Sequence, residues 1–97
     1  MEKVSKEQMT EYLEKFQTYQ RMLQGMGSVH VEFVTLHKQI SSVTLHIFPN
    51  DKDGNRLRAD NGEPILVSFK IGIWSDDAEQ IMKGAHDYVT TLTAMKR

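Results

Sequence analysis

Cysteine is absent from these 97 residues. That removes disulfides, thiol catalysis and cysteine-ligated zinc from the explanations open to the chain. Long apolar runs are absent too. The opening MEKVSKEQMTEYLEKF has no apolar core of the kind a secretory leader needs. No window approaches the roughly 20 apolar residues of a membrane-spanning helix. A cytoplasmic location without membrane contact is therefore expected. Charge of one sign is also lacking: 12 Lys and Arg against 13 Asp and Glu leave a net charge of −1. Such a balance supplies no strong field to draw in nucleic acid or an anionic membrane. There is no internal repeat, no low-complexity tract and no serine in a GxSxG setting. Gly25-Met26-Gly27 follows a helical pattern instead of preceding one, so it is not a phosphate-binding turn.

What is present is ordinary globular composition, with 39% hydrophobic and 26% charged residues. A chain of this length holds one core, and residues 1–97 are expected to form one domain. VHVEFVTL (29–36), SVTLHIF within 41–48 and ILVSFKIGIW (65–74) place β-branched and aromatic residues in near-alternation. The alternation predicts three half-buried strands. A short turn at His37-Lys38-Gln39 makes the first two an antiparallel hairpin, with His30 directly across from His46. Residues 49–64 form a long loop, with turn chemistry at Asp51, Asp53-Gly54-Asn55 and Asn61-Gly62.

Two helices flank the strands. Ser5 and Gln8 have capping-box spacing, and Met9, Tyr12, Leu13, Phe16, Gln20 and Leu23 follow as one stripe over residues 5–25. Ala78, Ile81, Met82, Ala85, Tyr88, Val89 and Leu92 make the second stripe over 76–95, and Lys96 and Arg97 suit its C-terminal end. The fold expected is α+β in the order α-β-β-β-α. It is a three-stranded antiparallel meander with both helices packed on one face. That face comprises Val29, Val31, Phe33, Val43, Leu45, Ile47, Val67, Phe69 and Ile71.

The opposite face is left uncovered, and the functional residues are sought there. It carries His30, Glu32, Thr44, His46, Ser68 and Lys70 together with apolar Val34, Leu36, Ile40, Phe48, Leu66 and Trp74. Exposed apolar groups on a sheet face mark an interface, and a symmetric homodimer is the simplest way to cover one. The chain is accordingly expected to be a non-enzymatic interaction module without a cofactor. It would bind itself or a protein partner through His30, Glu32, Val34, His46, Phe48, Leu66, Lys70 and Trp74. Two alternatives stay open. Lys52, Arg56 and Arg58 of the long loop are the cations with which a nucleic acid could be held. His30, Glu32 and His46 are residue types that could bind a metal or transfer protons. Asp51-x-Asp53-x-Asn55 has the start of a calcium loop, but Arg56 stands where glycine is required and Gly62 where the bidentate glutamate is required. His37 and His86 stand alone and are expected at the surface.

The element order resembles that of double-stranded RNA-binding domains, YbaB-type nucleoid proteins and the small dimeric chaperones of type III secretion. Gly27-Ser28-Val29-His30 with Phe33 resembles the opening of the first strand in the RNA-binding group, with Ser28 in place of proline and the phenylalanine one residue early. That group places lysines at the start of its last helix, where this chain has Asp76, Asp77 and Glu79. The YbaB-type resemblance implies a dimer that binds DNA, and the chaperone resemblance implies an acidic dimer.

Overall fold

The computed structural model describes residues 2–95. The element order is α1 (Lys6–Met22), β1 (Gly27–Leu36), β2 (Gln39–Pro49), β3 (Val67–Gly72) and α2 (Ala78–Met95). The strands form one antiparallel sheet in the order β1-β2-β3. The α+β architecture is the one expected from the sequence. Lys96 and Arg97, read above as closing the last helix, lie outside the described residues.

α1 starts where its sequence says it should. The Ser5 hydroxyl accepts from the Gln8 amide at 3.1 Å, and the Gln8 side chain accepts from the Ser5 amide at 3.0 Å. Two of the free amides at the helix start are thereby satisfied. α2 opens two residues later than its pattern suggests, at Ala78, because Ser75 first closes a turn. Its hydroxyl accepts from Gly72 N–H at 2.9 Å, and its own amide donates to the Gly72 carbonyl at 3.0 Å. The same turn ends β3 at Gly72 instead of Trp74.

Both helices lie on one side of the sheet, α1 over β1 and β2 and α2 against β3. Met9, Phe16 and Leu23 of the first helical segment meet Val43, Leu45, Ile47 and Ile71 of the sheet, and Ala85 and Val89 complete the core. Two Tyr contacts tie the helices to each other. Tyr12 donates to Glu79 Oε1 at 3.2 Å, and the Tyr19 hydroxyl lies 3.4 Å from His86 Nδ1. His86 is exposed, as expected, but it does not stand alone: its ring borders the helix–helix seam beside Tyr19.

Phe33 departs from expectation. It faces the helix side across from Val43, yet it is 50% exposed. The helices cover β2, β3 and the first half of β1, and the far end of β1 runs past them. From Glu32 onward every residue of β1 is exposed.

The hairpin also differs in its turn. β2 begins at Gln39, and the connection is His37-Lys38 alone, both with positive φ (52° and 64°). A bulge restores the expected register. Thr35 pairs with Ile40 and Val34 with Ser42, so Ser41 is the extra residue. It is buried, with its hydroxyl donating to the Val34 carbonyl at 3.1 Å and its carbonyl accepting from Ile73 N–H at 3.0 Å. The bulge carries Ile40 to the helix side, where it packs against the core instead of joining the open face.

The long loop is folded. Asp51 Oδ1 accepts from the amides of Asp53 and Asn55, Asn61 Oδ1 accepts from Glu63, and isolated bridges join Asn50 to Arg56 and Arg58 to Pro64. The Arg56–Arg58 segment therefore runs as a short ribbon between the end of β2 and the approach to β3.

Candidate functional site

On the side away from the helices the three strands set their residues in rows. His30, His46 and Ser68 are directly opposite one another, and Glu32, Thr44 and Lys70 form the next row. His30 lies across from His46, as expected. The close contact, however, runs diagonally. His46 Nε2 is 3.2 Å from Glu32 Oε1, and His46 Nδ1 is 3.0 Å from Ser68 Oγ. A carboxylate only accepts, so Nε2 carries the proton in the neutral ring and Nδ1 accepts from the Ser68 hydroxyl. The imidazole is held between the outer two strands by both nitrogens.

The order carboxylate, imidazole, hydroxyl is that of a hydrolytic triad. Here the three groups lie on consecutive strands of an open surface. Hollows lie beside Gln20–Val29, beside Asn50 and Met95, in the groove between the helices, and beside Trp74, where Ser42 and Lys70 contribute; Glu32, His46 and Ser68 line none of these. As it stands, the set is a cross-strand brace that fixes the Glu32 carboxylate. Among the described residues, no three His, Asp or Glu side chains converge closely enough to hold a metal ion. No buried side-chain nitrogen or oxygen among them lacks a hydrogen-bond partner, so no stranded polar group points to a ligand.

No protein-family model matches the chain, and comparison with curated proteins and with solved structures returned no match. The resemblances in element order are therefore resemblances of topology alone. Function has to be argued from the surface itself.

That surface divides the apolar residues singled out from the sequence. Phe48, opposite Ser28, and Leu66, just before β3, belong to one end of the sheet, while Trp74 follows Gly72 at the other. The polar rows lie between. Phe48 is also partly covered: the Arg56 guanidinium lies 4.7 Å from its ring centre and donates to Ser28 Oγ at 2.9 Å. Val34, Leu66 and Trp74 are about half exposed, at 52%, 48% and 57%. Of the loop cations, Arg56 is engaged as described, Arg58 donates to the Gly62 carbonyl at 2.8 Å, and Lys52 is exposed beside Asp51. Two of the three side chains named for nucleic-acid contact thus hold the loop together.

Sequence reasoning placed Val34 and Leu36 on the open face but put Phe33 under the helices, so it missed that the outer end of β1 is exposed on both faces. Phe33, Val34 and Leu36 are exposed at 50%, 52% and 51%, with Phe33 on one face and the other two on the reverse. Its signal was an alternating strand longer than a helix layer of this size can cover.

Proposed function

We propose that the protein is a non-enzymatic interaction module that self-associates as a homodimer, with β1 and the open face of the sheet as its contact region. The observation that carries this reading is the exposed outer half of β1. It is an edge strand, apolar on both faces, that the chain's own helices do not cover. Edges of this kind are the surfaces that other chains pair with. His30, Glu32, His46 and Lys70 contribute a charged and hydrogen-bonding centre, with Val34 beside it. Phe48, Leu66 and Trp74 are margins of the same region.

Light scattering on the eluting chromatographic peak tests the proposal. A dimer has twice the 11.2 kDa chain mass, and Val34→Asp should return it to the monomer while leaving the helical signal intact. A monomer at high micromolar concentration would end this reading. The alternatives have their own readouts. Binding through Lys52, Arg56 and Arg58 predicts a salt-sensitive shift of labelled duplex, and a metal site predicts zinc that His46→Ala releases.

A further inference from the structure

We infer that two copies of this chain join edge to edge through β1, antiparallel and centred on Val31, so that one sheet runs through both. The inference rests on the self-association proposed above and specifies its geometry. β1 is an edge strand, and its backbone phase is set. Asn50 N–H donates to the Met26 carbonyl at 2.9 Å, and the Val34 carbonyl takes the Ser41 hydroxyl. Amides and carbonyls alternate sides along an antiparallel ladder. The even-numbered residues of β1 therefore address β2, and Val29, Val31 and Phe33 address open space. Gln20 supports the assignment, because its side-chain amide reaches from α1 to the Val29 carbonyl at 3.1 Å. That carbonyl keeps a second lone pair.

The phase restricts the partner. An antiparallel second β1 can bond only if odd-numbered residues meet odd-numbered ones, which confines the twofold axis to a residue position. Side chains then choose among the positions. Centring on Glu32 would oppose two carboxylates, and centring on His30 would oppose two imidazoles and set Phe33 against Gly27. Centring on Phe33 or Val34 would leave Glu32 facing an apolar residue. With Val31 at the centre, Val31 meets itself, Val29 meets Phe33, and His30 meets Glu32 on both sides of the axis. Like is placed with like and base with acid, in directly opposed pairs where side chains on neighbouring strands interact most. Glu32 is already oriented by His46 through Oε1, which leaves its second oxygen for His30 of the second copy. At the far edge β3 is only six residues long, and Gly72 at its end already bonds Ser75 with both its amide and its carbonyl, so β1 offers the longer free edge.

The chain has no cysteine, so single thiols can be introduced and spin-labelled without interference. Light scattering and dipolar distance measurement on Ser28→Cys, Val34→Cys and Leu36→Cys test the register. At about 3.4 Å per residue, same-site separations should be ~20 Å for both Ser28 and Val34 and ~34 Å for Leu36. Equal values at Ser28 and Val34 define the centre. A dimer with unequal values there, or with no coupling along β1, overturns the register while leaving self-association standing. A monomer overturns both. Charge exchange gives a second arm. Glu32→Lys removes two His30–Glu32 pairs and should weaken association by about two- to thirty-fold, and the double exchange His30→Glu with Glu32→His should restore it. If the double variant stays as weak as Glu32→Lys, the pairing is wrong.

Discussion

A methyl group on Gly27 would meet the Phe48 carbonyl oxygen at 2.2 Å and Pro49 Cα at 3.0 Å, and the residue has φ 157°. The obstruction is backbone on both counts, so no side chain can move aside. Gly27→Ala should cost about 2–3 kcal/mol, the upper range of overpacking. It would be seen as a lower urea midpoint with an unchanged slope. A second residue-level consequence comes from the phenols. Burial pushes Tyr12, Tyr19 and Tyr88 above their ordinary value of 10.0, and at Tyr12 the charge and hydrogen bond of Glu79, then Glu11, add to it. A folded pKa above the unfolded one means that the native state holds the proton more tightly. The contribution is therefore complete below pH 10 and declines as the pH climbs past it. Unfolding free energy measured by urea from pH 9 to 11 should fall over that interval, and Tyr12→Phe should make the fall shallower. Neither effect could be read from the chain alone. Nothing in the sequence around Gly27 marks its approach to the Phe48 carbonyl, and the Tyr12–Glu79 contact joins residues that only the packed helices bring together.

At the scale of elements, the hairpin of β1 and β2 shows what a pattern of residues conveys and what it does not. Alternation located both strands and the facing of His30 and His46, because one register buries Val43, Leu45 and Ile47 and any slip by one would expose them. The turn itself was misread by a residue. His37 and Lys38 are not the Asn-Gly type that signals a two-residue connection, and the compensating bulge at Ser41 leaves no mark in hydropathy. The loop after β2 was legible as turns but not as a folded ribbon, since its order comes from Asx bonds and from Arg56 reaching back to Ser28. The functional face was legible only in outline. Period two assigns residues to a face, whereas how far a helix layer extends over Phe33 depends on tertiary placement. Two side-chain-bearing residues with left-handed backbone in succession are costly, and this gives a direct prediction. The double change His37→Asn with Lys38→Gly should stabilise the protein by about 1 kcal/mol. The measurement is the urea midpoint. A midpoint lower than that of the parent chain would show that His37 or Lys38 makes a contact outweighing the strain.

The whole molecule is long for its size. Its extents are 44 × 28 × 21 Å and its radius of gyration is 14.4 Å, against about 12.5 Å for a compact chain of this length. The excess fits a hairpin whose outer half runs beyond the helices, with its free edge in water. An edge of that kind has a distinctive exchange pattern, because amides bonded to β2 are protected and amides pointing outward are not. In the lone chain, Glu32 N–H should exchange slowly and those of Val31 and Phe33 quickly, although the three are consecutive. Pairing of β1 with a second copy would supply acceptors to Val29, Val31 and Phe33 and to nothing on β3. Raising the protein concentration should therefore slow exchange at these three amides selectively, with little change at Glu32, Phe69 or Ile71. Association through the flat of the sheet would instead leave Val31 and Phe33 fast, since stacking on side chains gives edge amides no partner. Residue-resolved hydrogen exchange at two concentrations, followed by NMR, separates these outcomes. Glu32→Lys, measured at the higher concentration, should return Val31 and Phe33 to the exchange rates of the dilute protein.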